Sequence, residues 1–316
     1  MKLRKPKFWD LEKPNLLSYL LLPFTILVII NNYFLNLKTK KNYDNIKSIC
    51  LGNIYLGGTG KTPTAIKLYQ IFKNLKIKVS IGKKYYKSHL DEQIILRNKS
   101  NLILEKNRKE VMEKAIKNNN EVIIFDDGLQ DRNLDYDLKF VCFDCKNWIG
   151  NGSLIPSGPL REELRSLKKY DAVFLKDKNP NDDKIINSIK IHNQNIKIFY
   201  TYSKPLNLNK FDVNNKYLIF SGIGNPGSFK NILLNNNLKI IEEIIFPDHF
   251  NYKKEDIDRI KSKATEIGAK IITTEKDYVK ISKINSSSIN FLEYDLKINN
   301  ENELIDFIKL KLYEKN

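Results

Sequence analysis

Residues 46–63, reading IKSICLGNIYLGGTGKTP, constrain what this chain can fold into more than any other stretch. A short β-branched apolar run comes first, then a glycine-dense turn ending in Gly60-Lys61-Thr62, then a helical pattern over 64–75, which together predict strand, loop and helix in that order. That succession is the layout of a phosphate-binding loop. Gly57, Gly58, Thr59 and Gly60 let consecutive backbone N–H groups converge on an anion at a helix N-terminus. Lys61 adds a point charge for the β/γ-phosphates of ATP, and Thr62 offers a hydroxyl to Mg²⁺. One position departs from the pattern G-x-x-x-x-G-K-[ST], because Tyr55 stands where its first glycine belongs. Alone, the stretch also reads as a glycine-rich turn, so a second motif has to support it.

The second motif is EVIIFDDGLQ at 121–130. Its apolar run ends in Asp126 and Asp127, and a carboxylate at the carboxyl end of a neighbouring strand can hold Mg²⁺ opposite the Thr62 hydroxyl. A strand closing on an Asp-Asp-Gly turn is common by itself. About 65 residues after a GGTGKT loop it reads as the partner carboxylate. Between the two motifs, 76–81 predicts a strand, the following loop carries Lys83, Lys84, Lys87, His89, Asp91 and Glu92, and 94–118 predicts mostly helix.

The chain's 316 residues and 41% apolar content suffice for one or two cores. A formal charge of +17 favours an anionic partner. Lysine, asparagine and isoleucine are over-used throughout, however, and no aromatic-interleaved basic strip points to nucleic acid. Three cysteines form no disulfide framework and suit a reducing compartment. Cys142 and Cys145 have C-x-x-C spacing but no second pair, and 138–143 reads better as a buried strand.

Residues 1–36 differ from the rest. Lys2, Arg4, Lys5, Lys7 and Lys13 precede an apolar run at 16–30 that Pro23 interrupts, and Lys38, Lys40 and Lys41 follow. The run falls short of the roughly 20 residues that span a bilayer, and no small-x-small cleavage site follows it. Basic flanks on both sides fit a segment lying in or dipping into an anionic cytoplasmic leaflet. A buried core helix and a span reaching Leu35 are the other two readings.

GNIYLGGTGKTP, DDGLQD, GNGSLIPSGPLREE, FPDHFNY and TTEKDYVK together resemble, in the same order, the tetraacyldisaccharide 4′-kinase family of lipid A biosynthesis. The likeness runs from the apolar N-terminus to about Lys280, and the family also lacks the first glycine. The resemblance implies a P-loop NTPase core of three α/β/α layers, a second, smaller α/β domain and an N-terminal membrane-associated helix. It implies transfer of the ATP γ-phosphate to the 4′-hydroxyl of an acylated glucosamine disaccharide 1-phosphate, at the cytoplasmic face of the inner membrane. It further implies Asp91 as base, His249 as the histidine paired with it, Arg161 close enough to the phosphates to steady charge, and Glu162 approaching the metal. Two departures stand out. Gly82-Lys-Lys-Tyr85-Tyr86 replaces the family's Arg-Gly-Tyr-Gly, leaving open which basic side chain takes over the arginine's contacts, and Gln93 replaces a proline.

The expected organisation is a membrane-associated segment at 1–36, a kinase core at 37–149 and a second α/β domain at 150–316. In that last part the run beginning Leu160-Arg161-Glu162-Glu163 is expected to open a helix, strands are expected at 172–175, 197–200, 217–220 and 270–273, and 301–315 to form an amphipathic terminal helix. Gly222-Ile-Gly224-Asn-Pro-Gly227 satisfies G-x-G-x-x-G, but Pro226 is atypical and the resembling family carries GIGNP without binding a dinucleotide. Two other classes share these motifs: a membrane-associated P-loop ATPase that couples hydrolysis to a protein partner, and a non-catalytic membrane scaffold. Turnover unaffected by glycolipid would mark the first, and loss of Mg·ATP binding the second.

Overall fold

The apolar run before the glycine loop becomes β1 (Lys47–Gly52), buried at every position after Lys47. A strand enclosed on both faces needs covered parallel neighbours. It has them in β4 (Val122–Asp126) and β5 (Leu138–Asp144), both paired parallel to it. This computed structural model describes residues 5–37, 39–87, 90–131, 133–177, 182–248, 250–282 and 284–314.

Two compact units result, one from Met1–Tyr85, Ser100–Tyr202 and Leu296–Asn316, the other from Tyr86–Lys99 and Ser203–Asp295. In the first, β2 (Val79–Lys84), β3 (Leu102–Glu105), β6 (Ala172–Lys176), β7 (Lys197–Pro205) and β12 (Tyr294–Ile298) complete an eight-stranded sheet of order β12-β7-β6-β5-β1-β4-β2-β3. The chain leaves β1 to build one side of the sheet and returns to build the other, so β1 sits at the switch point. Ligands of open α/β sheets bind beyond the carboxyl ends of the strands at such a point. Helices α3 (Lys61–Asn74), α5 (Arg108–Lys117) and α6 (Asp182–His192) connect strands of this sheet. The terminal helix α10 (Glu301–Tyr313) belongs to the same unit, where Phe307 lies 6.3 Å from the Phe140 ring and 5.8 Å from that of Phe199.

Several local expectations shift. β2 begins at Val79 because Lys76, at φ 61, ends the turn after α3 in the left-handed region. The expected helix over 94–118 is divided by β3. α4 (Leu90–Lys99) stops before Asn101, and Asn107 opens α5 by accepting a hydrogen bond from the Glu110 N–H. No helix starts at Leu160. The Leu160 N–H donates to Ser153 O and the Arg161 N–H to Ile54 O, so this backbone joins a β-like contact, and only a 3₁₀ turn follows at Leu164–Lys169. The expected domain limit at 149/150 falls within the first unit, since Phe140 to Asp144 pair with Ala172 to Lys176 across β5 and β6.

The second unit has a four-stranded parallel sheet of order β11-β10-β8-β9, from β8 (Lys216–Ser221), β9 (Lys239–Ile245), β10 (Lys270–Thr274) and β11 (Ile289–Leu292). Alternation along β8 separates two cores. Tyr217 and Ile219 join Phe229 and Leu233 of α7 (Pro226–Leu234), while Leu218 and Phe220 join Ile257, Ile260 and Ala264 of α8 (Lys254–Glu266). The GIGNPG loop lies between β8 and α7, where Asn225 caps the helix by accepting from the Ser228 N–H. α9 (Glu275–Ile281) follows β10 directly.

At the N-terminus, α1 (Leu16–Leu21), a 3₁₀ turn that absorbs Pro23, and α2 (Thr25–Asn36) form one apolar helical run. Its Leu16–Leu35 portion is the one candidate among the described residues that is long and apolar enough to cross a membrane. It is not a core helix, because Leu20, Leu27 and Phe34 are more than 60% exposed. Two of its polar residues, Ser18 and Asn32, are tied to the rest of the first unit instead. Ser18 Oγ accepts from Asn151 Nδ2 at 2.9 Å, Ser157 Oγ donates to Ser18 O at 2.7 Å, and Asn32 Nδ2 donates to Arg161 O at 2.9 Å.

Candidate active site

Between β1 and α3 the loop is tied down from within. Asn53, fully buried, donates from Nδ2 to the carbonyls of Tyr55 and Gly57. Gly60 precedes α3 at φ 85, a left-handed conformation that favours glycine, and a Cβ there would also stand 3.1 Å from Lys176 Cδ. Position 55 has no such demand. Tyr55 is extended, bridges antiparallel to Leu160, and buries its ring beside Leu154 and Leu160, with its hydroxyl donating to Asp10 Oδ1 at 2.7 Å. The tyrosine is therefore a packing residue of the loop's entry, and the turn that needs glycine comes after it.

Lys61 and Thr62 occupy the first turn of α3, as the spacing predicts. Thr62 Oγ1 donates to Asp126 Oδ2 at 2.9 Å, so the two motifs meet. Lys83 Nζ donates to the same oxygen at 2.6 Å, and both charges are buried, with side-chain exposures of 5% and 0%. No local pattern in the sequence pairs Lys83 with Asp126, 43 positions away. The signal for choosing it over Lys84 is strand alternation, which turns one of two successive lysines inward.

Asp127 follows in the left-handed region at φ 67, and its N–H donates to Leu51 O. Arg161 Nη1 lies 3.5 Å from Asp127 Oδ1 and donates to Gln130 Oε1 at 3.2 Å. Burial pushes the Asp127 carboxyl pKa up, but the positive charges of Lys61, Arg161, Lys83 and Arg108 outweigh it and hold the group below the usual aspartate value. Glu162 is buried; its Oε1 accepts from Gln130 Nε2 at 3.3 Å and its Oε2 from the Tyr170 hydroxyl at 3.1 Å. Gln130 was not singled out from the sequence although it lies inside the DDGLQD motif, and it links Asn53, Arg161 and Glu162.

Asp126 Oδ1, Asp127 Oδ1 and Thr59 Oγ1 are buried without a hydrogen-bond partner, although Asp127 Oδ1 keeps its ion pair with Arg161 at 3.5 Å. Orphaned acceptors of this kind are costly unless something else satisfies them, and carboxylate oxygens suit a hard divalent cation. Among the described residues no group of three or more His, Cys, Asp or Glu could hold a metal alone. Mg²⁺ asks for less, since it commonly takes one or two carboxylates and completes its shell with water and phosphate oxygens. The donor set fits it.

Asp91 belongs to the second unit, in the first turn of α4, where Oδ1 accepts from the Glu92 N–H at 2.9 Å. Lys280 Nζ and Lys276 Nζ of α9 lie 3.3 and 3.8 Å from its Oδ2. His249, expected as its partner, lies outside the described residues, as does His89.

An acid pair, Asp126 buried and Asp127 half-buried, facing lysine and hydroxyl at a glycine-loop helix places the first unit among P-loop phosphotransferases. The chain matches the family described as Tetraacyldisaccharide-1-P 4′-kinase over residues 15–313, and belongs to it. It is 45% identical over 321 residues to the tetraacyldisaccharide 4′-kinase of Pelagibacter ubique (strain HTCC1062), covering all of both chains. Its identity to the Rickettsia akari (strain Hartford) kinase of the same name is 33% over 332 residues, covering 100% of this chain and 98% of that one. The fold is similar to that of LpxK from Aquifex aeolicus, solved in complex with ATP, with a TM-score of 0.69 and 23% identity over 94% of this chain and 100% of that one. This chain is a kinase, and its reaction is phosphorylation of a lipid A precursor at the 4′ position.

Proposed function

We propose that this kinase takes the γ-phosphate of ATP, with Mg²⁺, and acts at the cytoplasmic leaflet of the inner membrane. The observation that carries the nucleotide assignment is the meeting of Thr62 with Asp126, beside Asp127 and beyond a loop whose Gly60 is left-handed. Lys61 and Arg161 supply positive charge to the transferring phosphoryl group, and Thr62, Asp126, Asp127 and Glu162 are the residues that would hold the metal. When bound, Mg²⁺ neutralises charge on the β- and γ-phosphates. Asp91, oriented by His249, takes the proton of the 4′-hydroxyl as that oxygen attacks phosphorus and ADP leaves.

For the membrane, support comes from the inverted amphipathicity of Leu16–Leu35, with Ser18 and Asn32 turned to protein and Leu20, Leu27 and Phe34 to the outside. The two polar ties are fourteen positions apart, about 21 Å along a helix, against a hydrocarbon thickness of about 30 Å. A helix held to its own unit over that length lies along the leaflet rather than crossing it. Its acceptor is a tetraacylated disaccharide that stays in the bilayer.

The test is transfer of labelled γ-phosphate from Mg·ATP to a lipid A disaccharide 1-phosphate. Lys61→Ala should leave the melting curve unchanged and lower turnover by about 10²–10³-fold or more, as loss of one preorganised donor does. Near-normal turnover in that variant would remove the P-loop assignment.

A further inference from the structure

Asp91 is a buried carboxylate with an unusual setting. Its side chain is 3% exposed, yet it sits among three other carboxylates: Glu92 on its own helix, Asp248 on the loop after β9, and Asp277 on α9. Burial and neighbouring negative charge both disfavour the ionised form of a carboxyl group. Two ammonium groups oppose them. Lys276 and Lys280 are four apart, so they share one face of α9. Lys276 Nζ lies 3.2 Å from Asp248 Oδ1, 3.6 Å from Glu92 Oε1 and 3.8 Å from Asp91 Oδ2. Lys280 Nζ lies 3.3 Å from Asp91 Oδ2 and 3.1 Å from Asp277 Oδ1.

α9 is itself fixed. Asp277, fully buried, accepts from the Gly222 N–H and the Thr274 hydroxyl at Oδ2, and from the Tyr252 hydroxyl at Oδ1. Lys99 of α4 pairs with Glu275 of α9 at 2.6 Å, joining the two helices. Asp91 has its Oδ1 on the Glu92 N–H, which leaves Oδ2 as the oxygen facing the lysines. Burial works against the Lys276 ammonium, but Asp248, Glu92 and Asp91 outweigh it and raise its pKa above the ordinary lysine value.

Resting on the reading of Asp91 as the base, we propose that Lys276 and Lys280 are positioning residues for the reaction. They keep the Asp91 carboxylate ionised and orient Oδ2, so that the group is ready to accept the hydroxyl proton at neutral pH. They touch neither reacting oxygen nor phosphate in this role. They act through Asp91 alone.

Removing an opposite charge from beside a carboxylate raises its pKa, and a base works only when ionised, so the acidic limb of the kcat–pH profile must move to higher pH. Lys280→Met should move it up by about 1–3 pH units, losing about tenfold in turnover per unit on that limb while recovering at alkaline pH. Lys280→Arg should restore the limb. A purely structural lysine would instead lower kcat evenly at every pH. If Lys280→Met melts early or fails to fold, Lys276→Gln, whose side chain is more exposed at 19% against 11%, carries the same measurement. An unmoved limb in a folded lysine variant overturns the proposal. Asp91→Asn separates the two claims. If it retains wild-type turnover and limb, the base assignment fails and this proposal with it; if it loses turnover while the lysine variants leave the limb in place, only the lysine role fails.

Discussion

Lys83→Met tests whether the ion pair behind the phosphate loop holds this unit together. The substitution keeps the aliphatic stem and removes the ammonium from Asp126, whose side chain is fully buried and whose Oδ2 then retains only the Thr62 hydroxyl. Its Oδ1 already lacks a partner. Breaking a buried pair by deleting one member costs about 3–5 kcal/mol, because the charge left behind is neither solvated nor paired. At about 2–4 °C per kcal/mol for a unit of this size, the melting temperature should fall by about 6–20 °C. Asp126→Asn combined with Lys83→Met should recover much of that loss, since no stranded charge remains. Millimolar Mg²⁺ should raise the melting temperature of the single variant more than that of the native protein, by supplying the missing cation to Asp126. Thermal melts followed by circular dichroism, with and without Mg²⁺, measure all of this. A single variant that melts with the native protein would show that the pair contributes nothing and that the strand-alternation argument for Lys83 is wrong.

Replacing Leu20, Leu27 and Phe34 together by Ser should leave the fold intact, as all three are exposed, yet weaken binding to anionic vesicles. At about 25 cal/mol per Å² each side chain contributes about 1.5–3 kcal/mol if it enters the leaflet, so co-sedimentation should fall by more than about 10³-fold; unchanged binding would dismiss the flat-lying helix. The cysteines predict a pH effect. Burial pushes the Cys142 thiol up to about 12, with Lys61 and a Thr64 hydrogen bond opposing it, so the thiol stays protonated when folded. Unfolded cysteine ionises near about 8.5, and above that pH the unfolded chain binds fewer protons, so stability declines as pH rises toward 12. Urea titrations at pH 8 and pH 10 should show a drop that Cys142→Ala makes smaller, and an equal drop in both proteins would refute the assignment.

By itself the sequence determined the nucleotide half of this protein, because that half is built from neighbours in the chain. A β-branched run, glycines at 57, 58 and 60, and Lys61-Thr62 before an apolar-periodic helix describe a local backbone path that few folds can use otherwise, and Asp126-Asp127 closing a strand supplied the complement. Only the tertiary structure decided the rest. Tyr55 is acceptable because Leu160, more than a hundred residues later, pairs with it. β3 is held by its parallel pairing with β2, and helix propensity over 94–118 yielded to that long-range contact. Arg161 and Glu162 sit in an irregular segment because the Arg161 N–H donates to Ile54 O instead of starting a helix. Lys276 and Lys280 reach Asp91 across about 185 positions of chain. Periodicity reports which face of an element is buried, but a buried charge chooses its partner by distance in the folded state, and no local pattern encodes that distance.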